Sequence, residues 1–527
     1  MSRLVFTGLC LVLVFTQWAF AGVHFWAYSL MSLALYALCV IFTARCFVLS
    51  LRPGDQNRLI KLRRPSLAVV FLLLFLGLTG VQLIPLPLPI VDFLSPQAAQ
   101  IYARVQEVTT GSKDSFTLSL VPYSTKIALF QAVAFTCAFV LTQAVVNSRS
   151  RVRFLAGFLV MMGLFQVLYG MYETYAAGQE SIWWWPKEFG RGYVTGTYMY
   201  KNSLAFFLEM AIPLTFGLAL SFAGRPEKRA GYALLGTKSG AAEHNRRSSA
   251  EDGSRHARQA ASSWEGHREE AKKKVYRFKV RAHGEQRAPL LKKIKDLVLG
   301  IEDHAQPLLW SFLGIILGVG MLLTASRGGI VSLVIGACCA GGMFFFKAGY
   351  RRMAGIVFIA CLAIFLYALS VGIHKTVERF ERFDLGWEGR LKISQAAWPM
   401  VWDYPVLGTG LSTFEHVFPT YAPPDLMRRT YLNAHNDWLQ VAIETGLVGF
   451  VLVFVGYVWF LAVAIRQWFR RRDPLAVGLG GGMIMALVSI GIHSLVDFNM
   501  HIPANALSTM VVAGLGWNAL FLRTRRT

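Results

Sequence analysis

Apolar residues in this chain fall in long unbroken runs, separated by short polar breaks, rather than at alternate positions or along a single helical stripe. A run of roughly 20 apolar residues is the helix length that crosses a hydrocarbon core. The pattern predicts twelve spans, at about residues 4–21, 24–50, 66–90, 126–147, 153–173, 203–223, 307–325, 328–346, 352–373, 437–465, 475–496 and 503–522. The first run resembles a signal peptide, but no small-x-small cleavage site follows and a second apolar run begins at once, so it is read as an uncleaved span. The expected fold class is an all-α, polytopic integral membrane protein. A hydrophobic fraction of 54% over 527 residues agrees.

Charge adds orientation. Lys and Arg accumulate in the loops left in the cytoplasm, and the basic clusters here fall in alternate connections. Arg52, Arg58, Lys61, Arg63 and Arg64 follow the second span, and Arg149, Arg151 and Arg153 follow the fourth. Lys347, Arg351 and Arg352, then Arg466, Arg470, Arg471 and Arg472, and finally Arg523, Arg525 and Arg526 continue the series. All lie on one side if both termini are cytoplasmic. The connection at 224–306 belongs to the same side and holds 19 Lys+Arg against 11 Asp+Glu. It has too little apolar surface to offset ordering entropy, so its first half is expected to be disordered, and about 268–300 to form a basic helix on anionic lipid. No nucleic-acid motif accompanies its charge. The expected organisation is a membrane bundle at 1–223, the basic insertion at 224–306, and a second membrane domain at 307–527 with an outer loop at about 374–436.

Candidate chemistry collects on the opposite, outer face. Arg327 lies in T-A-S-R-G-G (324–329), where two glycines leave room for a ligand and the next helix's N-terminus adds partial positive charge. Arg390 lies in a segment, 390–402, whose apolar spacing suggests a helix resting on the membrane surface. Guanidinium binds phosphate bidentately, so two such arginines on different loops would clamp a pyrophosphate. His435, in A-H-N-D-W-L-Q at the mouth of a span, is the candidate base, with Asn436 or Asp437 as the cap and Glu444 deeper in. Each also has a plain structural reading: a snorkelling arginine, a solvated charge, a packing histidine. Lys201 with Asn202, and His493, Asp497, Asn499 and His501, add polar groups at other span mouths. The I-W-W-W-P run at 182–186 reads as an interfacial belt rather than a sugar-stacking platform.

The seven cysteines all lie in or at the ends of spans. The outer loops therefore lack disulfides and cysteine zinc sites, and no nucleotide-binding glycine pattern or D-x-D motif appears there. Neither a metal nor another cofactor is called for. Outside the cytoplasm there is no ATP, so transfer chemistry there would draw on an activated lipid-linked donor.

Taken in order, Q-L-I-P-L-P with L-S-P (82–87, 94–96), G-T-Y-M-Y-K-N-S-L-A-F-F-L-E-M (196–210), T-A-S-R-G-G, G-R-L-K-I with D-Y-P-V-L-G-T-G (389–410), A-H-N-D-W-L-Q with E-T-G-L-V-G (434–449) and H-S-L-V-D-F-N (493–499) resemble the O-antigen ligase and polymerase superfamily, bacterial membrane glycosyltransferases with a Wzy-type C-terminal domain. The resemblance implies a GT-C-like fold in the bacterial inner membrane and metal-independent, inverting glycan transfer on the periplasmic face. The donor would be a glycan on undecaprenyl pyrophosphate, and the acceptor a hydroxyl of lipid A-core or of a growing glycan. Arg327 and Arg390 match the family's essential arginines and His435 its proposed base, with Lys201, Arg191 and Asp497 as further substrate-binding residues. A ligase is the leading reading, with a polymerase of lipid-linked O-antigen, capsule or exopolysaccharide units beside it. A transporter of lipid-linked glycans fits less well, because the polar residues gather on one face and no inverted repeat is evident.

Overall fold

The computed structural model describes residues 2–50, 66–108, 114–187, 190–222, 290–347, 349–351, 387–427 and 430–522. Fifteen α-helices are present among them. In chain order these are α1 (Ser2–Trp18), α2 (Phe25–Ser50), α3 (Leu67–Val81), α4 (Leu88–Leu94), α5 (Pro96–Val108), α6 (Pro122–Val145), α7 (Arg149–Tyr175) and α8 (Lys201–Phe222). There follow α9 (Leu290–Leu323), α10 (Arg327–Phe345), α11 (Trp387–Asp403), α12 (Phe414–Val417), α13 (Asp437–Arg470), α14 (Pro474–His493) and α15 (Pro503–Phe521). Two short antiparallel strand pairs, β1 (Leu86–Pro87) with β2 (Ser115–Phe116) and β3 (Ser181–Ile182) with β4 (Trp185–Pro186), are the strands described.

Among the described residues, eight helices are long and apolar enough to cross a membrane: α2, α6, α7, α8, the 305–323 part of α9, α10, α13 and α14. The chain is built as a multi-pass membrane protein. Helices α1 and α3 are apolar but shorter, and α15 carries Asn505, Ser508, Thr509 and Asn518 in the buried centre of the bundle. The expected span at 352–373 and the expected disorder at the start of 224–306 lie outside the described residues, as do most of the basic clusters at 52–64 and 523–526. Prolines 85, 87 and 89 end α3 well before the expected boundary at 90.

The chain clusters into one compact unit formed by Met1–Phe222 with Trp310–Thr527, and a second, Ala223–Leu309. Of the second, only the 290–309 part of α9 is described.

Within the first unit, α8 and α14 form the centre, with 89% and 78% of their apolar windows buried. Their contact depends on small residues. A Cβ on Gly478 would stand 2.2 Å from the Gly217 carbonyl oxygen, and one on Gly482 2.6 Å from that of Pro213. Lipid supplies no hydrophobic drive between helices, so close backbone approach of this kind is what joins them.

A second core lies beyond one end of the bundle. Val91, Ala98, Phe116 and Leu118 pack with Ile393, Ala397, Met400, Tyr404, Phe414, Phe418 and Ile443. Segments far apart in the chain thus fold together into one cap. The helix α11 turns Ile393, Ala397, Met400 and Val401 into this core and leaves Leu391, Trp398 and Trp402 exposed.

Candidate functional site

The helix α13 is anchored at its start by its own side chains. Asn436 is the N-cap, its Oδ1 accepting from Leu439 N at 3.0 Å. His435 therefore stands just before the helix rather than in its first turn, in the left-handed region at φ 52°. Asp437, freed from capping, faces the connection between α14 and α15. Its Oδ1 is 2.8 Å from His501 Nδ1, and its Oδ2 accepts from Ser494 Oγ at 2.9 Å and Met500 N at 3.2 Å. Its backbone N–H donates to the carbonyls of Ser494 and Asp497. Burial pushes His501 down, but the Asp437 carboxylate and the charge of Glu444 outweigh it and hold the imidazole above its usual range.

Glu444 is fully buried and answers backbone donors rather than a basic group. Its oxygens accept from Ser412 N at 2.7 Å, Phe414 N at 3.2 Å and Gln440 Nε2 at 3.0 Å. Gln82, from the Q-L-I-P-L-P stretch, donates to the carbonyls of Leu407 and Glu444 at 2.6 and 2.8 Å and accepts from Leu411 N. The D-Y-P-V-L-G-T-G loop is thereby laced onto a break in α13 at Gly446 (φ 66°).

Asp497 is where the candidate residues meet. Its Oδ2 is 2.6 Å from Asn202 Nδ2 and 3.3 Å from Arg390 Nη1, which also donates to the Val496 carbonyl at 2.7 Å. His435 Nδ1 lies 3.9 Å from its Oδ1, and His493 Nε2 3.9 Å from its Oδ2. Burial alone pushes the Asp497 carboxyl up, yet His435, Arg390 and His493 prevail and hold it well below the usual carboxylate range. Beneath it, His493 Nδ1 is 2.7 Å from Glu209 Oε1, both side chains buried. The glycines beside Arg327 permit this packing. A Cβ on Gly328 would come within 3.2 Å of the His493 ring, and one on Gly329 within 3.0 Å of Glu209 Oε1.

A cavity of about 3290 Å³ opens over this cluster, and Arg191, Lys201, Arg327, Arg390, His435 and Asp497 all line it. The helices α8, α10, α13 and α15 start on its wall, at Lys201, Arg327, Asp437 and Pro503. Helix N-termini carry partial positive charge. An inner arm runs between α3, α6, α13 and α15, past Phe71, Phe75, Phe135, Phe460 and Met510. The cavity thus pairs a charged mouth, where carboxylates such as Asp437 and Asp497 stand beside the arginines, with an apolar interior.

All six residues expected at the site share this cavity, though not one contact set. Arg390 and His435 each approach Asp497. Arg327 begins α10, where Ser326 caps by accepting from Gly329 N. Lys201 Nζ sits 3.7 Å over the Tyr193 ring, and Arg191 Nε donates to the Lys187 carbonyl at 3.1 Å. Sequence reasoning assigned no role to the contacts of Asn202, His493 and Glu209 with the cluster, and it overlooked Gln82. The polar residues within apolar runs were the available signal.

Residues 312–454 match the O-antigen ligase family, Wzy_C, a stretch that contains Arg327, Arg390 and His435. No match is found among curated proteins. Lys201, Arg191 and Asp497 lie outside the matched stretch, on elements that fold against it. The O-antigen ligase domain at residues 312–454 thus supports a place for the chain in the O-antigen ligase and polymerase superfamily.

Proposed function

We propose that this protein is an O-antigen ligase-like glycosyltransferase. It moves a glycan from undecaprenyl pyrophosphate to a hydroxyl of lipid A-core, at the periplasmic face of a bacterial inner membrane with both termini cytoplasmic. The twelve-span count and the GT-C-like architecture are part of this reading. The observation that carries it is the single cavity that is lined at a charged mouth by Arg327, Arg390, His435 and the buried carboxylate of Asp497, and along an inner arm by apolar side chains. A pyrophosphate suits the mouth, and a polyprenyl chain suits the arm.

In this reading the acceptor oxygen attacks the anomeric carbon as the bond from that carbon to the pyrophosphate oxygen breaks, which inverts the configuration. The acceptor proton passes to His435. Its Nδ1 faces Asp497, which leaves Nε2 toward the cavity, and the carboxylate orients the ring and balances the charge it gains, as an acid behind a catalytic histidine does. The 3.9 Å separation is one that tightens when substrate fills a site. Arg327 and Arg390 bind the pyrophosphate and offset the charge of the leaving group, as fixed donors do best. Asp497 and the Val496 carbonyl fix the Arg390 guanidinium before substrate arrives. Lys201 and Arg191 add positive charge at the rim.

The test is a lipopolysaccharide gel of the host lacking this gene, complemented with wild type or His435→Ala. Core-only bands, restored to a ladder by wild type alone, are the expected result. Core bearing one repeat unit would identify a polymerase instead. Full rescue by His435→Ala would overturn the mechanism.

A further inference from the structure

The tryptophans at 183–185 are adjacent in sequence but sit in three environments. Trp183 packs into the bundle: its backbone N–H donates to Tyr169 Oη, its indole N–H to the Trp18 carbonyl, and its ring stacks on Tyr169 at 4.6 Å. Trp184 is 77% exposed. Trp185 lines the large cavity, together with Arg191, Tyr193 and Lys201. Trp183 and Trp184 form the turn of the β3–β4 hairpin, with Trp183 in the left-handed region at φ 54°, and Trp185 opens β4, so the chain reversal separates the three side chains.

The indole of Trp185 is held in place. It rests 5.0 Å from the His24 ring and 6.1 Å from Phe20. Two residues on, Lys187 Nζ is tied to Glu173 at 3.0 Å and to Thr195 Oγ1 at 2.8 Å, with both members of the ion pair buried. The Lys187 carbonyl accepts from Arg191, so one anchored loop presents both an aromatic face and a cation to the cavity. His24 also lines the cavity, and its Nε2 is buried without a hydrogen-bond partner.

An interfacial belt ring would face lipid from the outside of the bundle, but Trp185, 43% exposed, lies on the cavity lining with His24, Arg191 and Tyr193. An acyl or isoprenoid chain would leave the His24 nitrogen unanswered, and the apolar arm of the cavity lies against other residues. A sugar ring has what this wall lacks: a face of C–H groups for the indole and hydroxyls for the imidazole. Small-ligand sites combine apolar surface with a few placed polar groups in this way.

We propose that Trp185 and His24 form a sugar-binding subsite. The indole stacks on a pyranose ring of the lipid-linked glycan, while the diphosphate lies toward the basic side of the cavity. The subsite rests on the glycan-transfer reading above.

Binding of two probes to the purified full-length chain in lipid nanodiscs tests it: undecaprenyl pyrophosphate alone, and the same lipid carrying the host's glycan repeat unit. Trp185→Ala should weaken the glycan-bearing lipid about tenfold, ~1.4 kcal/mol, and leave the glycan-free lipid unchanged. Trp185→Phe should recover most of the loss, and Trp184→Ala should alter neither. Equal losses for both probes in Trp185→Ala, or no loss for either, would overturn the subsite. A wild type that binds both lipids equally would remove the subsite and leave the transfer reading standing. A wild type that binds neither would remove both.

Discussion

At Asp497, side chains from three distant parts of the chain converge, so substitutions around it should differ in effect. Asp497→Asn keeps the shape but removes the charge that faces His435 and holds Arg390, and glycan transfer by the purified chain should fall by roughly two orders of magnitude. His435→Gln should cost about 10²–10⁴-fold, the usual share of a general base; retention of most transfer would exclude that role. The His501–Asp437 pair makes a prediction about pH. Because the His501 pKa is raised by folding, its contribution to stability is full below the ordinary imidazole value and fades as pH climbs through the raised one. Melting temperatures of wild type and His501→Gln, measured from pH 6 to 9, should therefore converge at the alkaline end. Arg327, Arg390, His435 and Asp497 stand out in the sequence as charged or titratable groups beside apolar runs, and all four line the cavity. The Asn202 contact was not legible in the sequence, because a neutral amide there has many uses and only its 2.6 Å bond to Asp497 singles one out.

Between Gly446 and Gly408, two segments that hydropathy treats as unrelated become one structural element. A helix-length apolar run begins at 437, and nothing in its periodicity marks a break. The break at Gly446 is imposed from outside: a Cβ there would stand 2.3 Å from the Val406 carbonyl oxygen, and one on Gly408 2.4 Å from the Glu444 carbonyl carbon. Both residues have positive φ. Gly446→Ala or Gly408→Ala should thus carry ~1–3 kcal/mol of backbone strain in addition to the clash. The readout is a lower melting temperature of the purified protein and weaker protection of the 405–414 amides from hydrogen exchange. Unchanged protection would mean that the loop does not depend on this contact. Glu444 belongs to the same element. Acids within spans invite functional readings, but this one satisfies the backbone donors of Ser412 and Phe414.

For the molecule as a whole, the arrangement of charge predicts a sidedness that labelling can check. In a chain stripped of native cysteines, Asp425→Cys on the cap should react with a membrane-impermeant maleimide from the outside of spheroplasts. Arg472→Cys, beyond the far end of α13, should react only after permeabilisation, and the reverse pattern would invert the topology. The sequence by itself determined where the long apolar runs lie and where basic charge clusters between them, because hydropathy and charge bias are sums over a single window of about 20 residues. It also determined the chemical types available for a site. Only the tertiary structure decided that Asp497 joins Arg390 to His435, that Glu444 is a backbone partner, that two loops make one cap, and that one tryptophan of three enters the cavity. Such contacts link residues far apart in the chain. They depend on how closely backbones approach, as at Gly217 and Gly478, and no local pattern of side chains encodes that distance.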